Sequence, residues 1–216
     1  MPVKSNREYR NMAMSAIEQN DSEQEQDNRL IVRGYASTFN EPYTLFRSDD
    51  YQVNEVVDAN AFANTDMSDV IMQYDHVGRV FARISNGTLD VSTDDKGLLI
   101  DAELGGTELG RQLYEEIRGG YTNKMSFGFR VGKDKREETE ERDEDNGTTT
   151  VTILQTILTV SKLYDVSAVS IPANDGTSIS SRNFAEGVID EVRKEIAKRE
   201  ERERQKKKIR IMTEVL

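Results

Sequence analysis

The sequence predicts an α+β domain, a β-rich body followed by a helical tail. Three observations lead there. Alternation and β-branched residues dominate through about residue 170, apolar residues recur at helical spacing beyond it, and 216 residues with 36% hydrophobic content suffice for one core but not for two full domains. The expected division is a body over 1–182 and a charged helical tail over 183–216.

Taken in order, residues 9–17 read as an opening strand, the polar run 18–28 as a solvated loop, and 30–38 as a second strand. Residues 58–64 are expected as a short helix, with strands over 70–75 and 80–84 flanking His76 and Gly78. Asp94-Asp95-Lys96-Gly97 supplies a turn with glycine available for positive φ, so 88–92 and 98–104 should form a hairpin. Over 107–118, Leu109, Leu113 and Ile117 stand four apart on one helical face, and Gly119-Gly120 ends the helix as a C-cap. Residues 127–131 and 151–160 are strand-like. Between them, 133–149 is so charged that it predicts a mobile acidic hairpin loop, with no apolar burial to offset its ordering entropy. After residue 183, Val188, Ile189, Val192 and Ile196 form an apolar stripe, and Glu195/Arg199, Glu200/Arg204 and Glu203/Lys207 are favourable i,i+4 pairs. This is a helix that docks at its start and is solvated at its end.

Composition excludes several function classes. A net charge of -11 argues against a nucleic-acid binder, which needs a basic face to neutralise phosphates. The absence of cysteine removes disulfides, thiolate metal sites and a cysteine nucleophile, and suits a reducing cytoplasm. The N-terminal residues lack an apolar core of signal-peptide length, and no apolar run approaches the roughly 20 residues of a membrane span. A soluble, unexported protein is expected.

Ser126 lies in Lys-Met-Ser-Phe-Gly-Phe. Alternation puts Met125, Phe127 and Phe129 on a buried face and Ser126 with Gly128 on the other, where glycine leaves room for a substrate backbone. Hydroxyl nucleophiles need a base that works near neutral pH, and His76 is the chain's only histidine. In Leu163-Tyr164-Asp165-Val166-Ser167, Asp165 shares a face with Leu163 and Ser167, and an acid there calls for a partner. Singly, each residue has a plainer reading. A strand serine is usually at a surface, a lone histidine is more often structural, and a lone acid commonly caps a turn or pairs with an arginine.

The order of these segments resembles the prohead protease family of tailed bacteriophages with the HK97-type capsid, which is similar in turn to the herpesvirus assemblins. The resemblance runs over about 30–173. It is carried by Val32-Arg33-Gly34-Tyr35-Ala36-Ser37-Thr38-Phe39-Asn40, by Tyr74-Asp75-His76 followed by Gly78-Arg79, by Met125-Ser126-Phe127-Gly128-Phe129, and by the closing run from Leu163 to Ala173. Between His76 and the Gly-Arg pair only Val77 intervenes, where many relatives have several residues.

This resemblance implies an antiparallel β-barrel surrounded by helices, as in the assemblins, and a serine endopeptidase that needs no metal or organic cofactor. Ser126 would be the nucleophile, His76 the general base and Asp165, which falls where the assemblins carry a second histidine, the third member. Oxyanion donors would come from around Ala173-Asn174-Asp175. Substrates would be the scaffold protein or the scaffolding segment of the major capsid protein, cut inside the assembling prohead in the host cytoplasm, with self-cleavage as well. The protein would act without nucleic acid or membrane, with a homo-oligomer compatible. The charged tail would serve targeting or self-cleavage. The alternative is a non-catalytic capsid-assembly factor whose Ser126 and His76 are structural.

Overall fold

Strand β10 (Thr149–Val169) organises the molecule. Its alternation buries Val151, Ile153, Ile157, Val160 and Leu163, and its length lets it serve three neighbours. One edge pairs antiparallel with β9 (Lys124–Arg142). The other edge pairs in parallel with two strands end to end: β4 (Tyr51–Val57) along 151–157 and β5 (Ile71–Tyr74) along 165–168. The computed structural model describes residues 7–12, 29–142, 149–170 and 179–214.

Among the described residues, β1 (Glu8–Met12) joins the free edge of β9, β3 (Tyr43–Arg47) pairs with β4, and β6 (Val77–Arg83) pairs with β5, making a seven-stranded mixed sheet. A second, three-stranded antiparallel sheet is ordered β2 (Ile31–Thr38), β8 (Gly97–Glu103), β7 (Leu89–Thr93). The α+β class is as expected. A closed antiparallel barrel is not found among the described residues: β4 and β5 run parallel to β10, and the strands form two separate sheets.

The main core includes Phe127, Phe129, Met72, Leu98, Ile100 and Val166. Helix α1 (Glu108–Arg118) adds Leu113 and Ile117 to it, while Leu109 stays partly exposed. Thr107 caps its start by accepting from the Gly110 amide, and Tyr121 N–H to Glu116 with Gly120 N–H to Ile117 close its end in a Schellman arrangement. The left-handed residue is Gly120, with φ 75°.

Other expectations change. Residues 58–64 form successive turns instead of a helix. Asp58, Asn60 and Phe62 carbonyls accept from residues three ahead, and the Asp58 side chain holds the Asn60 amide. The hairpin of β3 and β4 falls in a stretch for which no element was expected. The opening strand is seen over Glu8–Met12, and the rest of 9–17, the polar run 18–28 and the donors expected around Ala173 lie outside the described residues.

The largest correction concerns 133–149. Lys133–Arg142 continues β9 and pairs with β10 up to Thr149, leaving only 143–148 outside the described residues. Charge composition is a poor guide here because β10 brings the apolar side chains while β9 needs only to supply backbone partners. Its charges are met by ion pairs: Arg136 reaches Glu138, Glu191 and Glu195, and Glu138 reaches Arg199.

Glu191, Glu195 and Arg199 belong to α2 (Ile179–Glu214), which starts before the expected boundary at 183. Val188, Ile189 and Val192 of α2 pack on Leu45, Val53, Val151 and Ile153 in a second core cluster, with Ile196 at its margin. Val192 is fully buried, so Val192→Asp should destabilise the protein by about 3 kcal/mol or more, read by chemical denaturation, because the carboxylate would find no partner in that cluster. No helix among the described residues is long and apolar enough to cross a membrane.

Candidate active site

His76 sits at the tip of the two-residue turn between β5 and β6, where Tyr74 pairs with Val77. Asp75 and His76 have φ 48° and 60°, the paired left-handed residues of a type I′ hairpin turn, a conformation that Asp and His tolerate better than most residues. The turn is pinned to the end of β10. The Asp75 amide donates to the Ala168 carbonyl at 2.9 Å, and the Asp75 carboxylate accepts from the Ser170 amide and hydroxyl, each at 2.9 Å.

Ser126 has the predicted parity. It is nevertheless fully buried, because β1 lies alongside with Asn11 opposite Ser126 and Tyr9 opposite Gly128. The Tyr9 ring packs on the His76 imidazole at 4.3 Å between centroids. Below the sheet, Arg10 fixes β1 by donating to Glu55 at 2.5 and 3.0 Å and to Glu8 at 2.6 Å, all three residues being buried.

Asp165 reaches the same face through a break in register. Leu163 stands opposite Phe129 but Asp165 stands opposite Gly128, so Tyr164 is an extra residue on β10. Simple alternation gave Leu163 and Asp165 one face. The bulge separates them, sending Leu163 to the core and Asp165 to the side of Gly128 and Ser126.

The structure thus brings the three expected residues together. His76 Nε2 is 2.6 Å from Ser126 Oγ, and His76 Nδ1 is 2.5 Å from Asp165 Oδ2. Ser126 Oγ also lies 2.8 Å from the Arg10 carbonyl oxygen, to which it can donate. With only one hydroxyl proton, Ser126 can donate to the imidazole or to that carbonyl, not to both.

Ser167 donates to Asp165 Oδ2 at 2.9 Å, and the Arg7 guanidinium pairs with Oδ1. Burial alone would push the Asp165 carboxyl up, but hydrogen bonding and charge from His76 and then Arg7 outweigh it and hold it below the usual carboxylate range. Because the folded value is depressed, this carboxylate stabilises the fold above its unfolded pKa of about 3.9, and that contribution disappears as pH falls through the lower folded value.

Gly128 serves a different purpose from the one expected. A Cβ there would stand 2.1 Å from Asp165 Oδ1 and 2.9 Å from the Tyr9 ring, so the missing side chain makes room for the acid rather than for a substrate backbone. For a serine peptidase of the kind the sequence resembles, with Asp165 in the expected third role, Gly128→Ala should shift the carboxylate by about 1 Å and lower activity by roughly 10²-fold while the far-UV spectrum is kept. Activity within twofold of wild type would show that the carboxylate position is immaterial.

Arg7, Tyr9 and Ser167 are the parts of the site that the sequence did not point to. Ser167 was within reach, two positions along the same strand face as Asp165. Arg7 precedes the expected opening strand, and Tyr9 begins that strand with nothing local to mark its packing on His76.

A family model described as the caudovirus prohead serine protease matches residues 15–194, most of the chain, including His76, Ser126 and Asp165. The chain belongs to that family. No curated protein and no solved structure matches it. Membership makes a hydrolase of peptide bonds the expected chemistry and capsid maturation in a bacteriophage its setting. Strand β1 and Arg7 lie before the part of this prohead serine protease that the family model matches.

Proposed function

We propose that Ser126, His76 and Asp165 form the catalytic triad of a capsid-maturation endopeptidase. Ser126 Oγ attacks the scissile carbonyl as His76 Nε2 takes its proton. The imidazolium, steadied by Asp165 Oδ2 at Nδ1, then returns that proton to the leaving amine. Water repeats the sequence on the acyl-enzyme. For attack to proceed, the hydroxyl proton must turn from the Arg10 carbonyl to the imidazole. The observation that carries this reading is the continuous contact from Oγ through both ring nitrogens to a buried carboxylate.

The substrates we assign are the scaffold protein or the scaffolding segment of the major capsid protein, cut inside the assembling prohead in the host cytoplasm, together with the protease itself. The test is to incubate wild type and Ser126→Ala with purified scaffold and capsid proteins and to weigh the products. New masses, including a shortened protease, should form only with wild type. Identical, unchanged masses in both would speak for an assembly factor without activity.

A further inference from the structure

Asp165 has two oxygens with different tasks. Oδ2 receives His76 and Ser167, whereas Oδ1 faces Arg7, whose guanidinium lies over the rings of both Tyr9 (5.3 Å) and Tyr164 (4.9 Å). The side chain of Asp165 is fully buried and that of Arg7 about one-third exposed, so the ion pair sits at the margin of the site. Tyr164 is the bulge residue that re-aims Asp165. The same irregularity therefore places the acid and provides one of the two rings flanking its cation.

We propose that Arg7 is a positioning residue of this triad: by occupying Oδ1 it turns Oδ2 to His76 and sets the pH at which the Asp165–His76 pair takes up a proton. The inference rests on the triad assignment above. A carboxylate in a dry site needs both oxygens met, and a planar guanidinium held against two rings meets one with a fixed geometry. Its positive charge also opposes protonation of the imidazole across the shared carboxylate. Removing that charge makes the pair bind its proton more tightly, and because the two groups are coupled the effect belongs to the pair.

Other groups face the pair from neighbouring elements. Tyr9 of β1 lies against the imidazole, and Arg130 of β9 donates to the Tyr164 hydroxyl at 2.6 Å. Lys162 of β10 lies over the Tyr164 ring while pairing with Asp66 at 2.7 Å, and Asp75 is occupied by Ser170. Of these cations, Arg7 is the one in direct contact with Asp165.

The experiment uses the full chain, whose single histidine gives one imidazole signal to follow by NMR against pH. Arg7→Gln should move the midpoint upward by about one pH unit, and the acid limb of fluorophosphonate labelling should move with it, so that labelling on that limb is about tenfold slower. Arg7→Lys keeps the charge and should move the midpoint by less than about 0.3 unit. Ser126→Ala, labelled in parallel, should not react. A folded Arg7→Gln protein whose midpoint is unmoved or lower overturns the proposal while an unreactive Ser126→Ala leaves the triad standing. A lysine variant that shifts as far as glutamine also overturns it. Labelling of Ser126→Ala at the wild-type rate would instead defeat the triad assignment and the role of Arg7 with it.

Discussion

Replacing Ser126 or His76 by alanine should lower turnover of a capsid or scaffold substrate by about 10⁴ to 10⁶, and the double variant should lose little more. The expectation follows from the 2.6 Å contact between Oγ and Nε2, because proton transfer and bond formation at the carbonyl belong to one event. Once either partner is gone, the survivor has nothing to act on. The double-mutant cycle should therefore be strongly non-additive when kcat/KM is measured for all four proteins. Near-additive losses would mean that the two residues contribute separately, with a structural histidine as the simplest account. The comparison also separates chemistry from folding. Truncating a buried serine to alanine leaves the Arg10 carbonyl without that donor but keeps the strand pairing, so the unfolding midpoint should change far less than the rate.

Asp165→Asn should cost about 10⁴ in kcat with the backbone unchanged. The carboxylate accepts from Nδ1 and so fixes the tautomer that leaves a lone pair on Nε2 for the hydroxyl proton. An amide can turn its NH₂ to Nδ1, which puts the ring proton on Nε2 and points it at Ser126. Arg7 favours that outcome, since it donates at the Oδ1 position and would draw the amide oxygen there, leaving the NH₂ at the Oδ2 position that faces His76, where the Ser167 hydroxyl can accept from it. The loss is measured as kcat on a capsid or scaffold substrate, with circular dichroism as the check on folding. A loss below tenfold would show that Asp165 holds the sheet together rather than serving the imidazole.

Residues 124–129 were legible because their alternation is uninterrupted: three large apolar residues set the face, and Ser126 and Gly128 follow by parity. The β7–β8 hairpin and α1 were legible for similar local reasons, a turn sequence whose Asp94 side chain holds it and an apolar face spaced by four residues and closed at Gly119-Gly120. Asp165 was identified as an acid in need of a partner, yet its face was misread, since the bulge at Tyr164 puts Leu163 and Asp165 on opposite faces and leaves no mark in composition. The parallel pairing of β10 with β4 and β5 is non-local and has no short-range signature. The strand nature of 133–142 was hidden by charges whose partners lie on α2, more than fifty positions away. Arg7 lies further off still, 158 positions from the carboxylate it holds.

The central place of β10 also has a bearing on the order of synthesis. The proposed nucleophile and base are both made before this strand, while the acid is carried by it, together with the hydrogen-bonding edges that hold β4, β5 and β9 in one sheet. Chains grow from the N-terminus and their domains fold as units. A nascent chain that has reached Ser126 therefore carries neither the acid nor the strand that brings the serine and histidine together. On the proposed assignment, translation is its own safeguard: no ribosome-bound fragment lacking β10 can cut the capsid proteins being made beside it.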